Sequence, residues 1–199
     1  MAIDIRPYHP SDLVSLYEIC LSTGKSGQNA SELYRDPQLL GQFYAAPYAV
    51  LEPELCFILT LSGKPAGYIL GTKDSLQFEQ ICEEEWFPVL REKYPLPAED
   101  DDSLDARIIR LIHTGHKVKP ELVSYPAHLH IDLLPEAQGK GQGRAMMDTF
   151  IDKLIELEVP ALHLEVGKAN PGAIQFYQRM GFHEIMEYEF SIAFGRQLV

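Results

Sequence analysis

The stretch Gln138-Gly139-Lys140-Gly141-Gln142-Gly143-Arg144 constrains this chain more than any other. A period-two apolar pattern over residues 127–134 leads into it, and an amphipathic helical pattern over 145–157 leads out. A strand, a glycine turn and a helix N-terminus together make an anion site. The first N–H groups of a helix have no intrahelical acceptor, and the helix dipole adds partial positive charge there. Glycine lets the backbone take unusual dihedrals and approach a ligand closely. Lys140 and Arg144 add formal charge, so the expected ligand is a phosphate or pyrophosphate. The spacing is not that of a P-loop, and Arg144 stands where a G-x-G-x-x-G pattern needs its last glycine.

The length of 199 residues fits one domain, 1–199, and 46% hydrophobic content can supply its core. The formal charge of −12 argues against a nucleic-acid partner, whose affinity comes mainly from Lys and Arg. It suits a cationic amine and requires positive charge to be concentrated where an anion binds, for which Lys140, Arg144 and Lys168 are the candidates. No apolar run approaches the roughly 18 residues of a membrane span, so no membrane association is expected. The opening Met-Ala-Ile-Asp-Ile-Arg lacks the features of a signal peptide. Cys20, Cys56 and Cys82 are odd in number and sit in no ligand spacing. They read as buried free thiols in a reducing, cytoplasmic setting. His113, His116 and His128 also lack a coherent ligand spacing, so no metal is expected.

Along the chain, residues 3–7 read as a strand, and Ser11-Asp12 cap a helix running to Cys20. Residues 23–30 are a loop. A second helical stretch follows from Ser31 to about Tyr44, interrupted by Pro37. Residues 55–61 and 66–71 form a hairpin around Ser62-Gly63-Lys64-Pro65. The spacing predicts a helix over 79–94 that Pro88 ends or kinks, an acidic loop to Asp102, and a helix from a Ser103 cap to Gly115. Residues 75–125 are thus a helical insertion, too long for an ordinary connection, that shapes an acceptor pocket. Residues 127–134 form a strand with His128, His130 and Asp132 on one face, and the doublet Leu133-Leu134 suggests a bulge. A strand over 161–166, a helix over 171–180 ended by Gly181, and one or two last strands complete the chain.

A second block, Asn170-x-x-Ala173-x-x-Phe176-Tyr177-x-x-x-Gly181-Phe182, lies one helix and one strand beyond the loop. With Gln138-x-x-Gly141-x-Gly143 it resembles the paired motifs of the GNAT acyl-CoA N-acyltransferases. Within that family, His128-Leu129-His130-Ile131-Asp132-Leu133-Leu134-Pro135 and the opening Ile5-Arg6-Pro7 are similar to the acetyltransferase-like domain attached to animal O-GlcNAcase and its stand-alone bacterial relatives. The resemblance implies an α/β fold: a mixed, mostly antiparallel sheet of six or seven strands flanked by helices, as monomer or homodimer. It implies acetyl-CoA as cosubstrate and an amine as acceptor. The pyrophosphate would lie on the amides of Gln138, Gly139, Lys140, Gly141, Gln142, Gly143 and Arg144, and the pantetheine arm along Ile131 and Leu133. Asn170 would contact the cofactor, or simply cap its helix.

Acyl transfer from a thioester to an amine requires one proton to leave the ammonium and one to reach the departing thiolate. Tyr177 is the candidate general acid, since a phenol stays protonated at neutral pH. For the base, three readings stand: Glu165, which occupies a strand position used by several family members; His130 with Asp132, an imidazole oriented by a carboxylate; or a water chain. An acetyl-CoA-binding pseudoenzyme is the rival to an active transferase.

Overall fold

The computed structural model describes residues 2–198. Its strands are β1 (Ile3–Pro7), β2 (Cys56–Leu61), β3 (Lys64–Thr72), β4 (Ala127–Leu133), β5 (Ala161–Gly167), β6 (His183–Glu187) and β7 (Ser191–Gln197). They form one seven-stranded sheet in the order β1-β2-β3-β4-β5-β7-β6. Every pairing is antiparallel except β4 with β5. The helices are α1 (Leu13–Thr23), α2 (Leu39–Tyr44), α3 (Ala46–Leu51), α4 (Ser75–Ile81), α5 (Phe87–Lys93), α6 (Leu104–Thr114), α7 (Gln142–Glu156) and α8 (Pro171–Arg179).

The period-two strands divide their side chains between two cores. Ile58, Tyr68 and Leu70 face α1 to α6, whereas Leu59, Ile69 and Leu129 face α7 and α8. Arg6 and Asp12 join the end of β1 to the start of α1 through two hydrogen bonds of 2.7 Å each. Ser62 and Gly63, both at positive φ, make the tight β2–β3 turn.

Three helical expectations need correction. Only Leu39–Tyr44 of the stretch from Ser31 is α-helical. Asp105 accepts from the amides of Arg35 and Asp36, which a helix would have used, and Pro37 disfavours the helical region for Asp36. A further helix, α3, follows after an abrupt turn at Ala45. The helix expected over 79–94 begins earlier, at Ser75, where the Asp74 carboxylate accepts from the amides of Leu76 and Gln77. Pro88 does not end it. A π-helical turn, Cys82–Trp86, widens the backbone ahead of the proline, and α5 continues beyond.

The bulge expected at Leu133-Leu134 is also absent. β4 keeps its register with β3 through Leu133, and the Leu134 amide still bonds the Ala66 carbonyl. The break lies on the other side of the strand. β4 pairs with β5 only at Ala127–Leu162 and His128–His163, after which the two strands part. Gly71 helps hold β4 in place at this point. A Cβ there would strike the His128 carbonyl and the Phe150 ring of α7. Gly71→Ala is therefore expected to lower stability in urea unfolding by about 1–3 kcal/mol, the usual cost of overpacking.

Candidate active site

The parting of β4 and β5 exposes backbone. Leu134 pairs with Ala66, so the even-numbered residues of β4 bond β3 and the odd-numbered ones point away. The amides of Ile131 and Leu133 thus face the gap left by β5. An extended amide-rich ligand can bond them as another strand would. Gln138 secures the end of β4, its Nε2 donating to the Leu133 carbonyl at 2.9 Å.

The glycine loop then turns into α7. Gly139, Lys140 and Gly141 have φ of 77°, 50° and 86°, and Gly141 is the left-handed N-cap. The Gln142 amide bonds Gly139 and the Ala145 amide bonds Gly141. Among the described residues no backbone or side-chain acceptor takes the amides of Gly141, Gly143 or Arg144. They stand open at the positive end of a 15-residue helix. Gln142 is buried, and its side-chain amide braces the loop against the carbonyls of Gly139 and Lys140. Lys140 and Arg144 are exposed. Lys168, in contrast, is held by Glu187 at 2.7 Å. Arg179, a cation that sequence reading missed, stands on the cavity wall at the end of α8.

A cavity of about 1130 Å³ joins these parts. The gap between the strands, the loop and α8 line one half. The other half is bounded by α1, Tyr34, Tyr44 and Ile108 of α6. The insertion thus contributes Ile108 to the cavity wall. Asn170 caps α8, accepting from the Ala173 amide at 3.1 Å, and also lines the cavity. Tyr177 is 9% exposed and reaches the cavity from beside Phe176, Phe182 and Phe194. Burial, with the nearby Asp132 charge, pushes its phenol well above the usual tyrosine range, so it keeps its proton.

The base candidates are separated. Both oxygens of Glu165 are engaged at the rim: Ser191 donates to one at 2.6 Å and Lys119 to the other at 2.7 Å. His130 and Asp132 both line the cavity but do not bond each other. Instead the Tyr68 hydroxyl donates to Asp132 at 2.7 Å, and the Tyr48 hydroxyl lies 3.2 Å from His130 Nε2. Two residues apart on a strand, they point the same way, and each meets its own tyrosine below the sheet. Burial raises the Asp132 carboxyl despite the opposing hydrogen bond from Tyr68. Tyr48 and Tyr68 escaped sequence reading because nothing local marks a core tyrosine whose partner is dozens of residues away. Among the described residues no cluster of His, Cys, Asp or Glu could hold a metal ion.

Burial also lowers the histidines beneath the cavity, His116 to about 3 and His130 to about 4 from 6.5. Below pH 6.5 the unfolded chain therefore binds more protons than the folded one, and stability falls as pH drops through that window. The raised Asp132 works in the opposite sense over the acidic range. His116 Nε2 is enclosed without a partner. His116→Leu is expected to flatten the loss of urea stability below pH 6.5. An unchanged slope would contradict burial of this imidazole in neutral form.

Comparison with known proteins supplies the context. A family model described as "Acetyltransferase (GNAT) family" matches residues 15–182. The O-GlcNAcase of Rattus norvegicus is 29% identical over 188 residues, covering 93% of this chain and 20% of that protein. The chain thus spans about a fifth of the length of the curated relatives it matches first. A crystal structure described as SsHAT is 40% identical, with a TM-score of 0.94 and 100% of both chains covered. The paia N-acetyltransferase of Thermoplasma acidophilum, solved in complex with coenzyme A, shares the fold at 14% identity, with a TM-score of 0.59 and 99% of both chains covered.

Proposed function

We propose that this chain, which belongs to the acetyltransferase (GNAT) family, moves an acetyl group from acetyl-CoA to a primary amine by direct attack. One observation carries the reading. The open amides of the β4–β5 gap, the free amides of the glycine loop and the Tyr177 phenol all border one cavity. Pyrophosphate fits the amides of Gly141, Gly143 and Arg144, with Lys140, Arg144 and Arg179 supplying charge. The pantetheine amides fit Ile131 and Leu133, and the Ile131 N–H is placed to polarise the thioester carbonyl.

Asp132 takes the proton of the incoming ammonium. It is a carboxylate facing the cavity, its basicity raised by burial, whereas Glu165 is tied to Lys119 and Ser191. The freed amine attacks the thioester carbon. A C–N bond forms, the C–S bond breaks, Tyr177 gives its proton to the departing sulfur, and the second proton, shed by the nitrogen as it becomes an amide, passes through solvent to restore the Tyr177 phenol. The acidic composition, with a formal charge of −12, suits a cationic acceptor. No helix among the described residues is long and apolar enough to cross a membrane.

Tyr177→Phe is expected to lower kcat on the order of a hundredfold while leaving acetyl-CoA affinity unchanged. Unaltered kcat would remove Tyr177 as the acid. Asp132→Asn is expected to lose turnover similarly, with Glu165→Gln much milder. The reverse ranking would move the base to Glu165.

A further inference from the structure

Behind the cavity wall runs a chain of hydrogen bonds whose direction is set at its far end. The Ser75 Oγ lies 2.6 Å from the Pro126 carbonyl oxygen, a separation that places the hydroxyl proton between them. A serine hydroxyl has one proton. It is therefore not available to His128 Nδ1, 2.7 Å from the same Oγ, and Nδ1 must be the donor there. Desolvation in its half-buried site among the Tyr48 and Phe78 rings holds His128 well below the usual histidine range and so neutral, and its bare Nε2 accepts the Tyr48 hydroxyl proton across 2.8 Å. That leaves the Tyr48 oxygen as acceptor for His130, whose Nε2, at 3.2 Å, must carry the proton. Tyr48 itself, raised far above the usual tyrosine range by burial, does not ionise. The Nδ1 of His130 is then bare. No described residue bonds it, and among the described residues the only enclosed, unpartnered side-chain atom is His116 Nε2. His130 Nδ1 is thus open, on a residue that lines the cavity beside Asp132.

Building on the acetyltransferase reading above, we propose that Ser75, His128 and Tyr48 form a one-directional relay that holds His130 in its Nε2–H tautomer, so that its bare Nδ1 accepts a hydrogen bond from the attacking amine. Once Asp132 has taken the ammonium proton, the amine keeps two N–H groups and a lone pair. Nδ1 engages one N–H and turns the lone pair toward the thioester carbon. The other tautomer would put a donor against a donor. The proton on that N–H stays on nitrogen, so the relay adds no transfer step to the reaction. His130 touches the substrate; Ser75, His128 and Tyr48 act through it as positioning residues.

The test is a long-range ¹H–¹⁵N correlation spectrum of the full chain labelled at histidine, with CoA bound. His130 is expected to show an unprotonated Nδ1 and protonated Nε2, and His128 the reverse. A protonated His130 Nδ1 overturns the relay. Ser75→Ala, remote from the cavity, and Tyr48→Phe should each give mixed His130 tautomers and lower kcat by about tenfold, with KM for acetyl-CoA moving less than about twofold. Ser75→Thr should restore both. Should Tyr48→Phe fail to fold, Ser75→Ala alone decides. Mixed tautomers with full kcat, or lost kcat with the native tautomer, overturn the proposal. The expected tautomers without acetyl transfer to any amine overturn the acetyltransferase reading and the role of Nδ1 in it, whereas the wrong tautomer overturns the relay alone.

Discussion

Backbone hydrogen bonds left unmade between two neighbouring parallel strands organise this molecule. A buried N–H or C=O without a partner is costly, so a sheet that opens in its middle must offer those groups to something else. β4 and β5 share register only at their first residues, and the gap beyond faces the cavity. The remaining architecture keeps that gap open without unravelling the sheet. β3 secures β4 on its other edge through Leu133, β7 pairs with the whole of β5, and α7 and α8 pack beneath. The loop amides at the start of α7 lie at one end of the opening, so a ligand with an anionic head and an amide-rich arm meets unpaired donors along its length.

The opposite face of β4 supports the chemistry in another way. His128, His130 and Asp132 hang into a core of aromatic rings, where each polar atom needs a defined partner. Tyr48 and Tyr68 are the partners, from different elements, and their hydroxyls decide what the side chains above them present to the cavity. The insertion closes this face. Ser75 of α4 anchors His128, and Ile108 of α6 contributes to the cavity wall.

Much of this was legible in the amino-acid order. The glycine loop, the Asn170–Phe182 block, the hairpin turn and the Ser103 and Gly115 helix limits are local signals, and each is where its residues indicate. The features that were not legible depend on distant partners. Nothing near Ser31 reveals that Asp105 will take the amides of Arg35 and Asp36, and nothing near Pro88 reveals a π turn before it. The doublet Leu133-Leu134 breaks the two-residue alternation and so suggests a bulge, from which free amides would come. The sheet supplies them instead by separating two strands, which neither strand shows alone. His130 and Asp132 looked like a coupled pair from their spacing, yet the tyrosines that divide them lie in α3 and β3.

Calorimetric titration of acetyl-CoA into the wild type and a Gly141→Asp/Gly143→Asp double variant tests the central claim most directly. The account predicts micromolar binding by the wild type, lost in the variant, where carboxylates replace the open loop beside the amides. Failure of the wild type to bind would contradict it, leaving the fold without the site described for it. Equal binding by both proteins would contradict the assignment of the pyrophosphate to this loop.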